Sequence, residues 1–176
     1  MNKYLVIIDM QNDFISGSLG TPEARLVEQR IADEIDFSAY TRIFFTRDTH
    51  FGNYLETAEG KILPIKHCLY DTHGWEISDK IMQKVDESSI IYHRFDKASF
   101  GYTGWRHNVW MIEPEDEVDI VGVCTDICVV SNALIIKSLI PESSIKVLAQ
   151  YCAGTTPEMH QAALEVMQSC QIKIIK

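Results

Sequence analysis

Cys128 follows the apolar run Val118 to Val123 and the polar step Thr125-Asp126, and Ile127-Cys128-Val129-Val130 is expected to open a helix there. A thiol at a helix N-terminus meets unpaired N–H groups and the positive end of the macrodipole, so it is expected to lose its proton readily. The same N–H groups would stabilise an oxyanion on an attacked carbonyl. Asp9 closes the apolar run Tyr4 to Ile8, where a carboxylate needs a partner or a task. It suits the general base for the thiol. Lys97, in Phe95-Asp96-Lys97-Ala98-Ser99-Phe100, would stabilise the thiolate and orient Asp9, giving nucleophile, base and cation. Plainer readings stand beside these: Cys128 as a small buried hydrophobe, Asp9 as a turn cap with Asn12 and Asp13, and Lys97 as an exposed loop lysine.

A second group has metal-ligand chemistry. Asp48-Thr49-His50 puts two ligand types on alternate residues, which point the same way on an extended segment. His67 follows in Pro64-Ile65-Lys66-His67-Cys68. One carboxylate and two imidazoles suit a divalent transition metal with positions left for water or substrate, and they also read as satisfied surface polar groups.

The elements that must carry these residues alternate in type. Six short apolar runs without strict alternation read as strands buried on both faces: Tyr4 to Ile8, Arg42 to Thr46, Ser89 to Tyr92, Val118 to Val123, Ile145 to Leu148, and Ile172 to Ile175. Thr21-Pro22-Glu23 has a cap residue, proline at the first helical position and an early acid, followed by Ala24, Val27, Ile31 and Ile35 on one face. Thr156-Pro157-Glu158 repeats the signal before Met159, Ala162, Ala163, Val166 and Met167. Such alternation predicts an α/β fold: a three-layer, Rossmann-like arrangement with a six-stranded, mostly parallel sheet and helices on both faces. Ligands of open α/β sheets sit at the carboxyl ends of strands, where Asp9, Asp48, His50, Lys97 and Cys128 all fall. The polar stretch from Phe51 to Asp71 is too long for a routine connection and is read as functional.

Composition narrows the classes. The 176 residues carry 16 Lys plus Arg against 25 Asp plus Glu, a net charge of −9 with no basic block, which argues against a nucleic-acid surface. No run approaches the roughly 18 apolar residues of a membrane span. The length suits a single domain over residues 1–176, and the odd count of five cysteines with no signal-peptide pattern predicts a reduced, cytoplasmic protein.

Three segments, Asp9-Met10-Gln11-Asn12-Asp13-Phe14, Lys97-Ala98-Ser99-Phe100 and Gly122-Val123-Cys124-Thr125-Asp126-Ile127-Cys128-Val129, resemble the signatures of the isochorismatase-like cysteine hydrolases, in order and across nearly the whole chain. The resemblance implies Asp9, Lys97 and Cys128 as a catalytic triad, a cis peptide at Val123-Cys124, and an oxyanion hole from the Cys124 and Cys128 N–H groups. Arg47-Asp48-Thr49-His50 and His67-Cys68-Leu69-Tyr70-Asp71-Thr72-His73-Gly74-Trp75-Glu76 further resemble the nicotinamidase branch. Many of its members carry another histidine six residues after the first, where this chain has Glu56; others use a glutamate comparable with Glu59. The expected metal set is therefore Asp48, His50, Glu59 and His67, with Glu56 as rival to Glu59. Zinc is the first choice for the metal, with iron or manganese open.

The activity implied is hydrolysis of nicotinamide to nicotinate and ammonia through a Cys128 thioester. Phe14, with Phe100 or Tyr54, would stack on the ring of this small-molecule amide. Family members are commonly homo-oligomers. Two alternatives stand: an amidohydrolase of the same superfamily acting on a carbamoyl, ureido or other small carboxamide, and a non-catalytic binding or redox-sensing protein.

Overall fold

The computed structural model describes residues 1–176. Six strands, β1 (Lys3–Ile8), β2 (Arg42–Asp48), β3 (Tyr92–Lys97), β4 (Glu117–Val123), β5 (Ser144–Ala153) and β6 (Lys173–Ile175), form one sheet in the order β3-β2-β1-β4-β5-β6. Every neighbouring pair is parallel. The helices are α1 (Asn12–Ile15), α2 (Pro22–Glu34), α3 (Ala58–Ile62), α4 (Asp79–Ser88), α5 (Val130–Leu139) and α6 (Pro157–Ser169). None is long and apolar enough to cross a membrane.

Residues alternate faces along each strand, and this divides the core. Leu5 and Ile7 of β1 pack with Val121 and Val123 of β4 beneath α2 and α4. Tyr4, Val6 and Ile8 pack with Val118 and Ile120 beneath α5 and α6. The three-layer expectation holds. Thr21 and Thr156 cap α2 and α6 by accepting from Ala24 N and Met159 N.

Three local expectations need correction. The third strand is Tyr92–Lys97, not Ser89 to Tyr92: Ser89 takes a left-handed φ of 56° as the cap ending α4. This is an edge strand whose His93, Arg94 and Asp96 face water, so it has no continuous apolar run to read. Second, α6 buries Ala163, Leu164 and Met167, while Met159, Ala162 and Val166 face outward, a rotation of the expected face. Third, Cys128 does not lie in the first turn of an α-helix. It sits in a π-helical turn, Thr125–Val129, from which α5 continues.

Strand connections run outward from β1 toward β3 on one side and from β4 toward β6 on the other, so the carboxyl ends of β1 and β4 flank the topological switch point. Gly122 lets these two strands close up there. Its φ is +122°, and a Cβ would lie 2.1 Å from Ile8 O. Gly122→Ala is expected to destabilise the protein by more than about 2 kcal/mol, read as a lower urea midpoint at unchanged slope.

Candidate active site

β1 ends in a fully buried carboxylate. Asp9 has a left-handed φ of 49°, which Asp tolerates better than most residues, and the turn aims its side chain across the switch point. Thr46 Oγ1 donates to Asp9 Oδ1 at 2.6 Å. Asp9 Oδ2 is held by the Lys97 ammonium at 2.7 Å and has no other partner, so it keeps a lone pair for a proton.

Lys97 is the last residue of β3, registered against Asp48 of β2. It is 4% exposed, which rules out the reading as an exposed loop lysine. Its ammonium donates to Cys128 Sγ at 3.6 Å and lies 3.6 Å from Asp48 Oδ1. The structure thus brings Asp9, Lys97 and Cys128 together, with Lys97 in the middle.

The protons follow from burial and charge. Burial pushes Asp9 above the usual carboxylate range, against the opposing charge of Lys97. Burial and then the Asp9 charge push the Cys128 thiol well above its ordinary value, with Lys97 pulling the other way. The expected acidification by the helix terminus is therefore outweighed: the resting thiol keeps its proton beside the Asp9 carboxyl. Burial alone would lower Lys97, but Asp9, Cys128 and Asp48 raise it overall, so it stays charged.

The Val123–Cys124 peptide is cis, as the resemblance implies. Cys124 O accepts from Ile127 N and Val129 N, whereas the Cys124 N–H donates to no group of the protein. An unused donor beside the nucleophile turn suits an oxyanion. The Cys124 thiol is pushed up to about 12, mainly by burial, and unlike Cys128 has no cation among the charges that act on it.

Beside the triad, Asp48, His50, Glu59 and His67 each offer a ligand atom, all within 4.8 Å of one another. His50 Nε2 lies 2.9 Å from Asp48 Oδ2, and His67 Nε2 lies 3.4 Å from it. Glu59 Oε1 lies 3.7 and 3.6 Å from the same two nitrogens. His67 Nδ1 donates to Ile65 O at 2.8 Å, which leaves Nε2 as its ligand atom. Burial lowers His67, but its bonds to Asp48 and Glu59 raise it to about 10, the mark of a site that favours added positive charge. Two carboxylates and two imidazoles fit zinc, iron or manganese. The stretch from Phe51 to Asp71 delivers Glu59 at the start of α3 and His67 beyond it, while Glu56 is exposed outside the cluster.

The expected substrate aromatics divide. Phe14 is half-buried with its ring centroid 5.6 Å from that of His67, at the edge of the metal cluster. Tyr54 is fully buried, its ring 4.6 Å from His50 and 5.0 Å from His67, and its hydroxyl donates to Leu63 O. It braces the imidazoles and has no free face for a substrate. Phe100 is 46% exposed beyond β3.

Sequence reasoning missed the side chains that hold these groups. Gln11, fully buried, accepts from Asp48 N at 2.7 Å and donates to Asp48 O at 2.9 Å and Trp75 O at 2.8 Å. Asp13 Oδ2 accepts from Cys68 N at 2.7 Å, next to His67. The polar run Gln11-Asn12-Asp13 directly after a buried strand was the available signal; Thr46, inside an apolar strand, gave none.

The α/β fold is that of a hydrolase of amide C–N bonds, and the chain belongs to the isochorismatase domain family, which matches residues 3–176. Its relatives lie in the nicotinamidase branch. The chain is 26% identical over 185 residues to the nicotinamidase/pyrazinamidase of Mycobacterium tuberculosis, covering 97% of each. The crystal structure of nicotinamidase/pyrazinamidase from Bacillus subtilis shares the fold at a TM-score of 0.83, with 23% identity and full coverage of both chains. The pyrazinamidase of Pyrococcus horikoshii in complex with zinc has a TM-score of 0.76 at 25% identity, covering 100% of this chain and 99% of that one.

Two measurements test the proton assignments. Carbamoylmethylation of Cys128 by iodoacetamide is expected to keep accelerating as pH rises through 9, because the thiol titrates above its ordinary value of 9.0. An early plateau near neutrality would mean a resting thiolate. Thr46→Val removes a bond that lowers the Asp9 pKa, so the acid limb of the pH–rate profile is expected to move upward, with kcat/KM down about tenfold.

Proposed function

We propose that this protein hydrolyses nicotinamide to nicotinate and ammonia through a thioester on Cys128, with a divalent transition metal at Asp48, His50, Glu59 and His67. One observation carries the reading: Lys97 joins a cysteine–carboxylate pair directly to a cluster of two carboxylates and two imidazoles. The amide chemistry is also that of the curated relatives, which are hydrolases of amide C–N bonds.

The steps follow from the side chains. The substrate ring lies toward Phe14 and the metal cluster, with its carboxamide carbon against Cys128 Sγ. A divalent metal held by Asp48, His50, Glu59 and His67 would supply Lewis acidity toward the substrate ring, zinc being the first candidate. Asp9 Oδ2 takes the thiol proton as sulfur attacks the carbonyl carbon. The charge that develops on oxygen rests on the N–H groups of Cys124 and Cys128. Asp9 passes its proton to the amide nitrogen, the C–N bond breaks and ammonia leaves. Asp9 then takes a proton from water, whose oxygen attacks the thioester, and the departing sulfur regains a proton. Lys97 keeps its charge throughout, so Asp9 always has an ion-pair partner when it is anionic.

Ammonia release from nicotinamide, pyrazinamide and small aliphatic amides tests this directly. Cys128→Ala is expected to lose at least about 10³-fold in kcat. Chelation, or Asp48→Asn together with His50→Ala, is expected to abolish both bound metal, read by elemental analysis, and nicotinamide turnover. Wild-type turnover in Cys128→Ala would sink the thioester. Activity indifferent to chelation and to the ligand substitutions would sink the metal assignment and point to another carboxamide.

A further inference from the structure

Asn132 is fully buried on α5, and its amide is bonded to two separate pieces of the site. Its Nδ2 donates to Cys128 O at 2.7 Å and to Phe100 O at 3.0 Å. Its Oδ1 accepts from Tyr102 N at 2.9 Å and from Trp105 Nε1 at 2.8 Å. Two donors and two acceptor positions are the full capacity of an amide side chain. The Cys128 carbonyl belongs to the nucleophile turn, and the other three partners belong to the segment that leaves β3 directly after Lys97.

That segment lies close against α5. A Cβ on Gly101 would sit 2.5 Å from Ile135 Cδ1 and 3.5 Å from Ser131 Cβ, so the chain passes close over the helix. Tyr102 and Trp105 hold its far end against Phe95 of β3, with ring centroids 5.0 and 5.6 Å apart. Between Lys97 and Tyr102 the Asn132 amide is what ties the segment to the helix that follows the nucleophile. An apolar residue of similar size would leave two carbonyls and two N–H groups without these partners. A carboxylate would set an oxygen against two carbonyl oxygens.

We propose that Asn132 is a positioning and specificity-determining residue. By tying Phe100 O to Cys128 O it sets the spacing between the segment after β3 and the nucleophile turn, and this spacing serves as the slot through which a ring-bearing carboxamide reaches the thiol. It touches neither the reacting atoms nor the substrate; it acts through the backbone of both walls. The proposal rests on the amidohydrolase reading above, and its test separates the two.

Asn132→Asp keeps the shape and reverses one end of the amide; Asn132→Ala guards against a buried charge that prevents folding. In the variants, KM for nicotinamide is expected to rise about tenfold, with kcat per titratable Cys128 changed less than about threefold. The preference for nicotinamide over acetamide is expected to fall by about the same factor as KM rises. A role in folding alone would lower the melting temperature and the active fraction, leave KM and the preference unchanged, and overturn the proposal. A second readout needs no turnover: the rate of Cys128 modification by a bulky aromatic disulfide relative to iodoacetamide, followed by peptide mass. This ratio is expected to rise about tenfold as the slot loosens, and an unchanged ratio in both variants overturns the proposal. Failure of the wild-type protein to release ammonia from nicotinamide would instead overturn the functional reading, with the modification ratio still deciding the role of Asn132.

Discussion

A single buried ammonium organises this molecule. Lys97 Nζ lies 2.7 Å from Asp9 Oδ2, 3.6 Å from Cys128 Sγ and 3.6 Å from Asp48 Oδ1. Taking such a charge out of water costs several kcal/mol, and only close opposite charges offset it; removing one partner of a buried pair typically costs about 3–5 kcal/mol. The offset requires β1, β2 and β3 to end at the same level, with Asp48 opposite Lys97. A slip in that register would strand the charge. The constraint that makes the thiol's surroundings reactive is thus the one that fixes the strand ends, and it holds the nucleophile and the metal cluster at a set separation.

Around this charge, other polar side chains do the aligning. Thr46 turns one oxygen of Asp9 away and leaves the other for proton transfer. Gln11 grips both backbone groups of Asp48 from the chain that has just delivered Asp9. Asp13 holds the backbone beside His67, and Phe14 packs near its ring. Six consecutive residues, Asp9 to Phe14, therefore supply the buried carboxylate and fix both the end of β2 at Asp48 and the loop bearing His67. Asn132 does the corresponding work on the far wall. Buried polar groups that are fully bonded give rigidity and a unique geometry, which catalysis by prepositioned groups needs.

How much was legible depended on where each residue's surroundings came from. β1 and β4, buried on both faces, read as unbroken apolar runs, and the reactive residues at their ends could be picked out by position alone. β3 was misplaced because an edge strand carries charge where a central one cannot, and Lys97 was left between two readings, an orienting cation and an exposed loop lysine. Tyr54 has the composition of a substrate contact, yet its ring is enclosed behind two imidazoles. The acidity expected of Cys128 from its place before a helix was reversed by burial and by a neighbouring carboxylate, both long-range effects.

The sequence by itself determined the α/β alternation, the helix caps at Thr21 and Thr156, and the residue types able to act as nucleophile, base, cation and metal ligands. Those properties are local: they depend on side-chain chemistry, periodicity and spacing within a few turns of chain. Only the tertiary structure decided that Glu59 rather than Glu56 faces the histidines, that Lys97 is buried between two centres, that the resting thiol keeps its proton, and that Gln11, Thr46 and Asn132 hold the walls. Each of these is set by strand register and by burial against residues distant in the chain, and dielectric surroundings and hydrogen-bond partners of that kind exist only once the sheet has assembled.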